Sequence, residues 1–168
     1  MTDSDLRIIE QQLQRKPRGV VEVIKRCEHS RPLVILNSPF LDDKTPFPTL
    51  FWLTCPKLVK RISKFEDEGL AKHWQEEIGR SRNLREQLKK TQLDYQRRLL
   101  TLAEQTHFES GQKVDRRKFK RGISGVEDIT KVKCLHAHYA YFLAIGNNPI
   151  GKMVAELLGD FKCQKTCL

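Results

Sequence analysis

The sequence predicts an α+β fold, a small antiparallel sheet of about three strands packed with several helices, including a helical hairpin. Three observations lead there. Short β-branched runs cluster in the first third of the chain, proline-rich and aspartate-rich connections separate them, and apolar residues from Pro56 onward recur at helical spacing. At 168 residues the chain fits one domain, 1–168, large enough to bury a core without disulfide or metal staples.

In chain order, Leu6, Ile9 and Leu13 fall on one face of an N-terminal helix over 3–14, with Thr2 or Ser4 as its cap. Pro17 and Gly19 end it. Residues 20–27 (VVEVIKRC), 33–37 (LVILN) and 50–54 (LFWLT) predict three strands, and the connection carrying Pro39, Asp42, Asp43, Pro46 and Pro48 predicts an extended loop. Pro56 suits a first helical position, and Leu58, Val59, Ile62 and Phe65 form one face of a helix that Gly69 closes. A second helical piece spans 70–78, and Gly79 separates it from a long helix over 81–105. There Leu84, Leu88, Tyr95, Leu99 and Leu102 form the apolar stripe. Thr91 and Arg98 interrupt any heptad, so the stripe is assigned to core packing and the pair of helices to a hairpin on the sheet. Residues 107–130 form a flexible basic loop, followed by a helix over 132–145, the break Gly146-Asn147-Asn148-Pro149, a last helix over 150–158 and a loose tail, 160–168. The helices are expected to gather on one side of the sheet.

Composition narrows the setting. A net charge of +10, from 31 basic and 21 acidic residues, favours anionic partners, although simple solubility accounts for it equally well. The acidic, then amphipathic start is unlike a secretory signal. The most apolar stretch, 134–145, falls short of the roughly 20 residues that a membrane span needs. A cytoplasmic protein with no membrane association is expected. Five cysteines without a secretion signal are expected to be thiols, metal ligands or nucleophiles and not a disulfide framework.

Candidate chemistry concentrates on cysteine and histidine. Cys55 precedes Pro56 between a strand and a helix, a place where the helix N-terminus favours a thiolate; a small buried cysteine at a tight turn fits the position as well. In VKCLHAHYA, residues 132–140, Cys134 and His138 are four apart and would share a helical face, leaving His136 to point elsewhere. Joined to Cys27 and Cys55 at two strand ends, Cys134 and His138 complete a Cys3His set suited to zinc or to an iron–sulfur cluster, with His136 as a supporting or acid–base group. No C-x2-C knuckle is present. Cys163 and Cys167 are left in the tail, outside the site.

The run at 113–121, with Arg116, Arg117, Lys118, Lys120 and Arg121 and with Phe119 interleaved, suits contact with an anionic small molecule or a nucleic acid; a solvated loop is the plainer account. No phosphate-binding loop, dinucleotide fingerprint, H-E-x-x-H or Ser-His-Asp arrangement is recognisable. Three functional readings follow. One is a Cys/His metal or cluster site acting on an anionic substrate. A second is a non-catalytic nucleic-acid-binding module, and a third is a cysteine-thiolate enzyme with His136 or His138 as base.

Four stretches carry a family resemblance: Arg18-Gly19-Val20 leading to Arg26-Cys27, TPFPTLFWLTCP at 45–56, VKCLHAHYA at 132–140 and NNPIG at 147–151. Together, from Pro17 to Gly151, they resemble the bacterial family of domain of unknown function 501 (DUF501), with Ser30 standing where the family pattern has glycine. The resemblance implies a cytoplasmic bacterial protein without an assigned activity. It places Cys27, Cys55, Cys134, His136 and His138, with Thr54 and Asn148, inside the motifs that define it.

Overall fold

The computed structural model describes residues 1–108, 114–161 and 163. Helix α1 (Asp3–Leu13) opens on a capping box in which the Thr2 hydroxyl accepts from Asp5 N–H, while the Asp5 carboxylate accepts from Thr2 N–H. Strands β1 (Val20–Arg26), β2 (Pro32–Asn37) and β3 (Phe51–Leu53) form an antiparallel sheet in that order. Helices α2 (Pro56–Asp67), α3 (Leu70–Arg80) and α4 (Arg82–Phe108) follow, then α5 (Leu135–Ile145) and α6 (Pro149–Leu158). The fold is α+β.

Central strand β2 buries successive residues, Val34 and Ile35, so both faces of the sheet are covered. Val34 belongs to the main core with Leu53, Ile62, Leu99, Tyr141 and Val154. Ile35 faces the other way, toward α1, whose Ile9 is fully buried. The helices therefore do not all gather on one side: α1 takes the opposite face, where its Gln12 amide donates to Pro32 O at 2.9 Å. On the main side the element lying most directly on the sheet is α5, with Tyr141 packed edge-on to Phe51 at 5.7 Å. The α3–α4 hairpin reaches the β-layer through Tyr95, whose hydroxyl accepts from Leu50 N–H at 3.0 Å and donates to Pro48 O.

Two boundaries differ from expectation for simple reasons. Gly79 does not break the hairpin; α3 runs through it, and the chain turns at extended Ser81 (φ −103°, ψ 108°). Helix α5 starts at Leu135, three residues later than the apolar pattern, with Cys134 as its extended N-cap. Ser30 lies in the β1–β2 turn at φ +58°, a conformation in which glycine avoids the Cβ clash.

Residues 114–130 are not a featureless loop. They contain 3₁₀ turns at Arg116–Phe119 and Ile123–Gly125, anchored by buried Phe119 and Ile123. Lys113 of the basic run, the rest of 109–113, and Lys162 and residues 164–168 of the tail, Cys167 included, lie outside the described residues. Among the described residues no helix is long and apolar enough to cross a membrane.

The tie between α1 and β1 is an ion pair: Arg26 donates to both carboxylate oxygens of Asp5, at 2.8 and 3.0 Å. The Arg26 hydrogen bond, with help from Thr2, holds the Asp5 carboxyl well below its ordinary 3.8. A lowered acid pKa contributes stability above its unfolded value and loses it as pH falls below that value. Because Arg26 is partly exposed, Asp5→Asn is expected to cost only about 1–2 kcal/mol at pH 7. In urea melts against pH, the gap from the unsubstituted protein should narrow below pH ~4. A gap constant down to pH ~2 would contradict this assignment.

Candidate metal centre

The site is built where α2 meets the start of α5. Helix α2 presents Val59, Ser63 and Glu66 at i, i+4 and i+7, one face over two turns. Glu66 Oε1 accepts from Leu135 N–H at 2.6 Å, satisfying a backbone donor that has no partner within α5 and placing a negative charge at that helix's N-terminus. Glu66 Oε2 is then 3.3 Å from His136 Nδ1. The Cys134 sulfur lies 3.8 Å from the same nitrogen. The opposite nitrogen, Nε2, is 3.0 Å from Val59 O and 3.4 Å from Ser63 Oγ. A carbonyl can only accept, so Nε2 carries a proton and donates to Val59.

Burial by itself would lower the His136 pKa, but the Cys134 sulfur, the Val59 carbonyl and the Glu66 carboxylate outweigh it and raise it to about 9. The metal-free ring is thus an imidazolium near neutrality. One ligand atom from each of Glu66, Cys134 and His136 lies within 4.8 Å of the other two, a group that could hold a metal ion. Cys134 and His136 also line a largely apolar cavity of about 440 Å³ with Phe47, Phe51, Trp52 and Val59.

The approach to Cys134 is held by two glutamines of the helical hairpin. On α3, Gln75 donates to Thr130 O (3.1 Å) and accepts from Val132 N–H (2.9 Å). On α4, buried Gln92 donates to Lys131 O (3.2 Å) and accepts from Ile123 N–H (2.7 Å). Gly122 admits this second clamp, since a Cβ there would stand 2.4 Å from the Gln92 amide oxygen.

The Cys3His arrangement is not what the structure assembles. Cys134 and His138 do not share a helical face, because Cys134 precedes α5 with φ −142° and ψ 117°. His138 is fully buried at the α5–α6 joint. There Asn148 accepts from Gly151 N–H through Oδ1 and turns its Nδ2 to His138 Nδ1 at 3.1 Å. Burial lowers the His138 pKa to about 4 despite that bond, leaving a neutral ring. Cys55 is the N-cap of α2, as the sequence indicates, but it is 2% exposed and packed in the core. It lies eleven residues from Glu66, about 16 Å along the helix. Cys27 sits in the β1–β2 turn, its N–H bonded to Arg31 O. Cys163 meets that same turn through Glu28 and His29. Of the expected ligands, only Cys134 belongs to the group, joined by His136 and by Glu66, which sequence reasoning missed. Its one sequence signal is an i, i+4, i+7 row of Val59, Ser63 and Glu66 on a mainly basic helix.

The basic run is largely engaged locally. Arg116 pairs with Glu104 (3.0 Å), Arg117 with Asp115 (3.0 Å) and Arg121 with Glu127, while Lys118 and Lys120 are exposed. Phe119 packs edge-on to Phe40 inside the fold and is not displayed for stacking with a base.

Fold and site together define an α+β protein with a candidate Cys/His/Glu metal centre. The chain belongs to the family described as Protein of unknown function (DUF501), whose model matches residues 23–156. No curated protein and no solved structure matched the chain.

Replacing Gln75 by leucine leaves Thr130 O and Val132 N–H without their side-chain partner. The expected cost is about 1–3 kcal/mol in urea melts, with faster amide exchange at Val132. Unchanged exchange at Val132 would show that Gln75 does not hold the approach to Cys134.

Proposed function

We propose that the protein is a metal-binding protein whose centre, formed by Cys134 Sγ, His136 Nδ1 and a Glu66 carboxylate oxygen, holds zinc and acts on an anionic substrate at the adjoining cavity. The observation that carries this reading is the convergence of sulfur and carboxylate on one imidazole nitrogen while the other nitrogen donates to Val59 O. A zinc-ligating histidine commonly donates its second N–H to a carbonyl or carboxylate, which fixes the ring.

Ligands about 2.0–2.3 Å from one tetrahedral zinc are about 3.3–3.8 Å apart. The Cys134–His136 and His136–Glu66 separations of 3.8 and 3.3 Å fit this range. Three protein ligands leave a fourth position, the usual layout of a zinc centre at which water or substrate binds. Zinc is favoured over an iron–sulfur cluster because this group offers one thiolate, and clusters are held mainly by several.

The same convergence argues against a nucleophile–base–orienter triad. A triad uses the two imidazole nitrogens separately, one for the nucleophile and one for the carboxylate. Here both contacts fall on Nδ1. In the zinc reading Cys134 is a ligand, and its alkylation is blocked when the metal is bound.

The test is metal analysis after equilibration with zinc and removal of excess, on the unsubstituted protein and on Cys134→Ser, His136→Gln and Glu66→Gln. The reading predicts one zinc per chain, at least tenfold weaker binding in each variant, and zinc protection of Cys134 from iodoacetamide. No stoichiometric zinc, or zinc retained fully by all three variants, would contradict it.

A further inference from the structure

Trp52 is a wall common to three adjoining cavities. It lines the apolar cavity beside Cys134 and His136, a second of about 590 Å³, and a third of about 370 Å³ along α1 and α2. Phe47 lies nearly parallel to Trp52, ring centroids 6.0 Å apart at 15°, and lines the first two cavities as well. The aromatic pair is therefore the shared rim at which an apolar pocket adjoins a cation-edged cleft.

The two spaces have opposite chemistry. The cleft is edged by Arg15, Lys16 and Arg18, all exposed, with the Arg15 guanidinium 4.7 Å from the Trp52 ring centre. None of these three cations makes a salt bridge among the described residues. Asp42 lines the cleft and Asp43 lies near enough to feel Arg18, so positive charge remains in excess. Three cations around one cleft repel one another, and a dianion relieves this better than a carboxylate monoanion.

The apolar cavity carries its own sign of a ligand. Ser124 lines it with a buried hydroxyl oxygen that has no hydrogen-bond partner among the described residues, on a backbone held at φ +63°. An unsatisfied buried hydroxyl in a strained conformation is costly unless something in the cavity bonds to it.

We propose that these two spaces form one binding site for a small aryl phosphate. Its ring lies in the cavity bounded by Phe47, Phe51 and Trp52, its phosphate meets Arg15, Lys16 and Arg18, and a polar ring substituent meets Ser124 Oγ. This deepens the zinc-centre reading by naming a substrate class, and it rests on that reading only for which substrate atoms come near the metal. The aromatic walls select a flat group and the cations select its charge.

Isothermal titration of metal-free protein with phenyl phosphate, 2-naphthyl phosphate, phenol and inorganic phosphate tests it, with thermal melts confirming that each variant folds. At least one aryl phosphate is expected to bind tenfold or more tighter than both phenol and inorganic phosphate. Lys16→Ala/Arg18→Ala should weaken that binding at least tenfold, and Ser124→Ala should weaken a ring-hydroxylated analogue, 4-hydroxyphenyl phosphate, more than phenyl phosphate. Aryl phosphates binding no tighter than inorganic phosphate, or indifferent to the charge substitutions, would overturn the proposal, as would tighter binding of single-stranded oligonucleotides at the same residues. Because metal is absent, a negative result with normal zinc stoichiometry removes the substrate class and leaves the centre standing. Aryl phosphate binding by a protein that takes up no zinc does the reverse.

Discussion

The divided carboxylate of Glu66 is the contact on which the candidate centre depends. One oxygen receives Leu135 N–H and so fixes where α5 begins; the other faces the imidazole of the next residue, His136, in that first turn. Since Val59 O holds the far side of the same ring, α2 grips His136 at two points two helical turns apart. Cys134 arrives at the third corner because it is the N-cap of the helix that Glu66 has positioned. Capping and assembly of the site are one event.

Around that contact, buried and half-buried polar side chains serve as backbone supports. Gln75 and Gln92 bind main-chain groups on both sides of the approach to Cys134, Tyr95 binds the entry to β3, and Asn148 caps α6 while facing His138. Such bonds add little net stability each, yet they are expensive to leave unmade in a dry interior, so they fix a particular backbone path. Close backbone approach adds a second constraint. At Gly151 a Cβ would lie 2.5 Å from His138 O and 2.3 Å from Phe142 Cβ, so α6 can meet α5 there only without a side chain. A centre resting on these supports is held by rigid elements and not by loose chain.

Much of the architecture was legible because it rests on local signals: β-branched runs for the strands, Pro56 at the start of α2, the Leu88, Tyr95 and Leu99 stripe of α4, and Gly146 with Pro149 between α5 and α6. The centre was legible only in part. Spacing of four makes Cys134 and His138 look like neighbours on a helix, but an N-cap has the same sequence separation without helical geometry. Glu66 is contributed from a distant helix, and no local pattern announces a tertiary cap. Phe119, interleaved in a basic run that suits an anionic partner or a solvated loop, is an apolar anchor in the core. Gln92 stands on the buried stripe between Leu88 and Tyr95, which marks a buried polar group, but no local pattern tells which backbone groups it or Gln75 meets.

Zinc coordination can be observed directly by X-ray absorption on the zinc-loaded protein. The account predicts one sulfur at about 2.3 Å and two or three nitrogen or oxygen ligands at about 2.0–2.2 Å, with the sulfur shell lost in Cys134→Ser. A site with no sulfur, or with three or four, would contradict a centre made by Cys134, His136 and Glu66.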